Sequence, residues 1–173
     1  SGAAGTRLEY ALGKLASEVI LQNLNMNHPI QYNIVRPFNV VGAQQCSKIG
    51  FVFPTFFEKA LKNEDLPVFL DGSQKRSFCH VEDIVSAMIR IQESELSGEI
   101  FNIGNETNTI TILELAQRIR TACHSDSKIV HIDPFEKYGC TYLEAFDKIP
   151  DITKIRTMLG WKPAIDLENA IQR

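Results

Sequence analysis

Apolar positions along this chain switch repeatedly between a helical period and short β-rich runs. Leu8, Leu12, Leu15, Ala16, Val19, Ile20 and Leu24 recur at helical spacing, which predicts a helix over 8–25. Asn27-His28-Pro29 stops it. The run Gln31-Tyr32-Asn33-Ile34-Val35-Arg36, closed by Pro37, reads as a strand. Phe38-Asn39-Val40-Val41-Gly42 comes next, where the carboxyl end of a strand would open into a loop. Wound sheets bind ligands at such ends. Residues 43–48 read as polar loop and 50–63 as a helix, with Pro54 in its first turn, where proline is tolerated. A short strand over 66–70 precedes the Asp71-Gly72 turn, and 75–81 reads as one further strand. A helix over 81–93 follows, with Glu82 and Asp83 at its electropositive start.

The second half repeats the grammar. Residues 99–105 form a buried-type strand, 109–112 are extended, 113–123 an amphipathic helix and 128–132 a strand. Residues 135–148 lack periodicity and read as loop. A short helix over 151–159 takes Asp151 as its N-cap, Gly160-Trp161-Lys162-Pro163 breaks the chain, and a last helix starts at 167. Helices alternating with strands through short connections imply an α/β fold with a wound sheet.

Composition narrows the class. The 173 residues suit one domain with a real core. Net charge is −3, from 18 Lys+Arg against 21 Asp+Glu, which gives no electrostatic reason to expect a nucleic-acid partner. No apolar run approaches a membrane span, and the first residues do not resemble a signal peptide. Cys46, Cys79, Cys123 and Cys140 form no C-x-x-C pair and match no zinc spacing, and the histidines are equally scattered. We therefore expect no metal site and reduced thiols in a cytoplasmic protein. Cys79 and His80 are adjacent on a strand and so point to opposite faces, which argues against a thiolate–imidazolium couple.

Tyr10 and Lys14 carry the first candidate chemistry. Four residues apart on a helix, their side chains share one face about one turn apart. A phenol beside an ammonium can exchange a proton with a substrate, because the cation stabilises a phenolate. The plain alternative is a pair of solvated helix residues.

Later stretches change that balance. Tyr10-Ala-Leu-Gly-Lys14, Arg36-Pro-Phe-Asn-Val-Val-Gly42, Asp71-Gly-Ser-Gln-Lys-Arg-Ser-Phe78 leading to Val81-Glu-Asp83, Phe101-Asn-Ile-Gly-Asn105, and Pro150-Asp-Ile-Thr-Lys154 with Leu159-Gly-Trp-Lys-Pro163 occur in order. With these blocks the chain resembles the C-terminal half of an extended short-chain dehydrogenase/reductase of the NAD-dependent nucleotide-sugar epimerase/dehydratase family. The resemblance implies the C-terminal part of a Rossmann-like wound sheet plus a small α/β substrate-binding domain. It divides a single truncated unit, 1–173, into 8–42, the last part of the Rossmann-like domain, and 43–173, mainly substrate-binding, with strand 99–104 returning to the sheet.

The resemblance also implies roles. Tyr10 is the expected base that takes a sugar hydroxyl proton, and Lys14 holds the nicotinamide ribose. Pro37 lies against the nicotinamide and Phe38 against the sugar. Asn39 contacts sugar or phosphate, Arg76 the diphosphate, and Pro67 and Phe69 the base. Arginine's fixed fork of donors fits phosphate oxygens. The stretch 138–150 resembles one bacterial subgroup but departs from it: Thr141 replaces a glycine, and Asp147-Lys148 stand where arginines are usual. Lys148 then offers the phosphates a point charge.

The expected cofactor is NAD, yet no G-x-G-x-x-G turn for its pyrophosphate occurs in the sequence. The hydroxyl residue that usually completes the Tyr/Lys site is also missing ahead of Tyr10. Alone, the chain is therefore expected to be inactive. The whole protein is expected to be a homodimeric 4-epimerase of a nucleotide sugar, a UDP-sugar first. A dehydratase, a decarboxylase or a non-catalytic nucleotide-sugar module are the alternatives. The apolar face of the first helix, if left uncovered, predicts self-association.

Overall fold

Residues 8–47, 50–138 and 146–172 are described by the computed structural model. Helices are α1 (Leu8–Asn27), α2 (Val52–Leu61), α3 (Val81–Gln92), α4 (Ile112–Ala122), α5 (Pro134–Tyr138), α6 (Thr153–Leu159) and α7 (Leu167–Gln172). Strands are β1 (Ile34–Pro37), β2 (Val40–Val41), β3 (Leu66–Phe69), β4 (Lys75–Ser77), β5 (Cys79–His80), β6 (Ile100–Ile103), β7 (Thr109–Thr111) and β8 (Ile129–Ile132). Among the described residues, β1 pairs with β6, β2 with β5 and β3 with β8, all parallel, while β4 and β7 are antiparallel. Parallel pairs need crossovers, and helices supply them, as the α/β reading requires.

The register of β1 on β6 is Ile34↔Ile100 through Pro37↔Ile103, so residues 100–103 lie beside 34–37. Phe38 extends the ladder by donating its N–H to the Ile103 carbonyl at 2.9 Å.

Two apolar clusters hold the elements. One joins α2, α4 and α7 over β3, with Phe53, Phe56, Leu66, Val68, Leu115, Ile119 and Ile171 buried. The other packs α3 and α6 on β6 through Ile84, Ala87, Ile91, Phe101, Ile103, Ile155 and Trp161. On β3 the alternation is clean: Leu66 and Val68 face the core, while Pro67 and Phe69 face the other way and stay half-buried. That is the period-2 geometry of a strand.

Polar groups stitch the C-terminal segment to this body. Asp83, in the first turn of α3, is 5% exposed and accepts the N–H groups of Ala164 and Ile165, each at 3.0 Å. Asn105 and Asn108 donate to the Ile165 carbonyl at 3.0 Å. Ile165 therefore has both backbone groups satisfied by buried side chains, a requirement at a site closed to water. Thr111 and Glu114 form a reciprocal capping box at the start of α4.

The structure corrects the sequence reading in several places. The strand expected over 75–81 is two strands with different partners, β4 on β7 and β5 on β2. Phe78 falls between them, buried against the Phe53 ring. The loop expected over 135–148 starts with α5, seeded by Pro134 at its first position and by the Asp133 carboxylate, which accepts the Phe135 N–H at 2.8 Å. Asp151 does accept the Thr153 N–H at 2.9 Å, but Ile152 occupies the N-cap position, so the helix begins later than expected. The strand expected from Gln31 begins at Ile34. Tyr32 and Asn33 instead bind the 96–98 turn, through the Tyr32 carbonyl and the Asn33 amide. Cys140 and Thr141 lie outside the described residues.

Candidate functional site

Tyr10 and Lys14 sit near the start of α1. The Tyr10 side chain is 73% exposed, and Lys14 Nζ stands 5.5 Å from its ring centroid. The pair is adjacent and open, so a ligand can reach the phenol. A cation at that distance from the ring is attracted to its face.

One turn further along α1, Glu18 accepts from Arg36 of β1. Arg36 Nε lies 2.8 Å from Oε1, and Nη2 lies 2.5 Å from Oε2. This two-pronged bond holds the Glu18 carboxyl below the ordinary carboxylate range, against the opposing effect of burial. Sequence reading did not single out this pair. Its signal was an acid four residues beyond Lys14 and a base just before Pro37.

Pro37, Phe38 and Asn39 follow at the carboxyl end of β1. Pro37 ends the strand opposite Ile103. Phe38 meets the 150 segment across Gly104. A Cβ on Gly104 would come within 2.6 Å of Pro150 Cγ and 3.2 Å of Phe38 Cβ, so only glycine fits there without displacing them. Asn39 has φ +33°, a conformation asparagine tolerates better than most residues. Its Nδ2 donates to the Ser77 carbonyl at 2.8 Å, and its own carbonyl accepts from Cys79 N–H at 3.2 Å. The amide nitrogen thus joins the end of β1 to β4, beside Arg76.

Arg76 is 9% exposed. Its Nη1 donates to the carbonyls of Lys75 at 2.8 Å and Phe146 at 2.7 Å. Lys148 pairs with Arg76 as a parallel bridge, donating its N–H to the Lys75 carbonyl at 3.1 Å. Residues paired across a ladder share a face of the sheet, so the structure brings the predicted cations Arg76 and Lys148 to one face. Asp147 caps the same junction by accepting the Lys75 N–H at 3.0 Å. Pro67 and Phe69 share a half-buried face of β3, in a different strand pair from Arg76, opposite Val130 and Ile132.

The Cys79 thiol is pushed up to about 12 by burial and by the Asp83 charge, which rules it out as a nucleophile at neutral pH. His80 caps α3, its Nδ1 accepting the Glu82 N–H at 3.3 Å. Among the described residues, no group of His, Cys, Asp and Glu could hold a metal ion. No described helix is long and apolar enough to cross a membrane.

Comparisons with known proteins agree with this architecture. The model of the NAD dependent epimerase/dehydratase family matches residues 1–104. A UDP-N-acetyl-alpha-D-glucosaminuronate decarboxylase of Bacillus cytotoxicus is 36% identical over 168 residues, covering 96% of this chain and 51% of that protein. UDP-glucuronic acid decarboxylase 4 of Arabidopsis thaliana is 34% identical, covering 96% of this chain and 36% of that protein. A Thermotoga maritima UDP-glucose 4-epimerase solved with UDP-glucose superposes with a TM-score of 0.82 at 27% identity, over 94% of this chain and 50% of that one. A UDP-N-acetylglucosamine 4-epimerase of Methanobrevibacter ruminantium, solved with UDP-N-acetylmuramic acid, gives 0.83 at 25% identity, over 94% and 51%. The chain spans about half the length of the Bacillus relative and of these solved epimerases. By its family match and its fold, the chain belongs to the NAD dependent epimerase/dehydratase family.

Proposed function

We propose that this chain is the substrate-binding half of an enzyme that oxidises a UDP-sugar at C4 with NAD. The observation that carries the reading is the exposed Tyr10–Lys14 pair on α1, one turn apart, in a chain of this family.

The donor set fits one end of the dinucleotide. A phenol and an ammonium side by side match a nicotinamide ribose and a substrate hydroxyl. The sequence offers no glycine-rich turn for the pyrophosphate. When bound, NAD would supply the hydride acceptor for the sugar carbon. Tyr10 Oη receives the C4 hydroxyl proton, and Lys14 Nζ stabilises the phenolate and holds the ribose. Pro37 and Phe38 border the nicotinamide and the sugar. Arg76 and Lys148, on one face, meet the diphosphate, with Asn39 beside them. Pro67 and Phe69 lie along the base.

The 4-keto sugar is the branch point. Return of hydrogen to the other face inverts C4. If the sugar is a hexuronic acid, the C4 carbonyl makes its carboxylate part of a β-keto acid, which loses carbon dioxide readily. The 36% and 34% identities to decarboxylases favour this second outcome, and the superposed 4-epimerases favour the first.

The test is to incubate the whole protein and NAD with UDP-glucuronic acid and, separately, UDP-glucose, and to analyse the products. The reading expects loss of carbon dioxide or inversion at C4. No conversion of any UDP-sugar, with NAD confirmed bound, would overturn it.

A further inference from the structure

Helix α1 is weakly held except at Glu18. Leu12, Leu15, Val19, Ile20 and Leu24 are all exposed, as is Tyr10. Among its described side chains, Glu18, Leu21 and Asn25 are the half-buried ones. Asn25 binds locally, accepting the Ile30 N–H. Glu18 reaches β1, where Arg36 grips both carboxylate oxygens, and its side chain is 15% exposed.

A bidentate guanidinium–carboxylate bond fixes direction as well as distance. Here it joins a helix to a strand already locked in a ladder, since Arg36 pairs with Asn102. Six residues, 28–33, return the chain from the end of α1 to the start of β1, and with Glu18 bound to Arg36 this fits an antiparallel helix and strand. Moving from Glu18 toward the start of α1 therefore runs in the same direction as moving from Arg36 to Pro37 and Phe38. With a rise of about 1.5 Å per residue, Lys14 lies about 6 Å and Tyr10 about 12 Å from the clamp along the axis. The clamp thus ties the part of α1 that carries Lys14 and Tyr10 to the strand that runs on into Pro37 and Phe38.

We infer that Glu18 and Arg36 are positioning residues that align the Tyr10–Lys14 pair with Pro37 and Phe38. The inference rests on the reading of Tyr10 as the base. The bond acts through geometry. Arg36→Lys keeps the charge but loses the fork, and Glu18→Gln keeps the shape but loses the charge. Each should release α1.

Two measurements test it. In the full chain, with Cys46, Cys123 and Cys140 changed to Ser, spin labels at Gln22→Cys and Glu95→Cys report the distance from α1 to the turn that follows α3. A single narrow distribution is expected, broadened or shifted by Glu18→Gln and by Arg36→Lys. In the whole protein with NAD and its UDP-sugar, each variant should lower kcat by about 10- to 100-fold, because small misplacements cost that much. KM should stay within about twofold, since the diphosphate contacts are untouched. Combining Glu18→Gln with Arg36→Lys should do no more harm than either alone, as expected for partners in one bond. Unchanged distance distributions in the single variants, or additive losses in kcat, would overturn the clamp. Full turnover by Tyr10→Phe would overturn the reading of Tyr10 instead, a result the distance measurement does not produce.

Discussion

At the scale of single residues, side chains that look reactive in the sequence separate by environment. Cys79 sits in the core with its thiol driven up to about 12, whereas Cys46 is exposed. A thiol reagent at mildly alkaline pH should label Cys46 within minutes and leave Cys79 untouched until the chain unfolds. Rapid modification of Cys79 in the folded protein would contradict its burial. Asp83 has a structural task that its position at a helix start did not reveal. It binds the N–H groups of Ala164 and Ile165, residues more than seventy positions away in sequence. Asp83→Ala leaves those buried donors without their acceptor and should destabilise the fold by about 3 kcal/mol. Denaturant unfolding checks this, and Asp83→Asn, which keeps one acceptor oxygen, should lose less. Arg76 combines two tasks: it holds the Phe146 and Lys75 carbonyls and is proposed to meet the diphosphate. Calorimetric titration with UDP should show binding lost in Arg76→Ala and weakened in Arg76→Lys. Binding that survives Arg76→Ala unchanged would discard the phosphate role.

At the scale of elements, the legible parts were those with strong local periodicity. The spacing of Leu8 through Leu24 gave α1, and the β-branched run before Pro37 gave β1. The break between β4 and β5 was not legible, because it is a change of partner strand, and alternation within 75–81 does not record partners. The start of α5 went unread because residues 135–148 lack periodicity, although Pro134 is a residue type that opens helices. That the Tyr10 and Lys14 side chains are neighbours on α1 was legible from a spacing of four. The Glu18–Arg36 bond was not, because it exists only once β1 lies beside α1. The bridge that brings Arg76 beside Lys148 was hidden for the same reason. Several element ends rely on carboxylates held below their ordinary values by hydrogen bonds. Glu114 at the start of α4 is bound by Thr111, and Asp151 before α6 by Thr153. Glu18 is bound by Arg36. A lowered folded pKa means the stabilisation is complete above the unfolded value and fades as pH falls through the folded one. Stability should therefore be flat above about pH 5 and decline below about pH 4, where these groups begin to protonate in the unfolded chain. Urea titrations across that range check it, and a chain no less stable at pH 3 than at pH 6 would contradict these bonds.

At the scale of the whole molecule, the described residues form an α/β body with two apolar clusters and one helix, α1, left largely uncovered. Its exposed Leu12, Leu15, Val19, Ile20 and Leu24 exceed what an isolated surface helix presents, and such faces drive association. Light scattering of the chain should report a species larger than a monomer. A clean monomer with α1 held as described would contradict that expectation. The proposed chemistry rests on the Tyr10–Lys14 pair of α1 and on Asn39, which the bond from its Nδ2 to the Ser77 carbonyl places beside Arg76. The claim on which the account depends is that the Tyr10 phenol moves the proton when the sugar is oxidised. The direct test is turnover of UDP-sugars by the whole protein with NAD, compared between the native sequence and Tyr10→Phe. Loss of the general base should lower kcat by about 100-fold or more, with UDP binding retained. Equal turnover in the two proteins would contradict it.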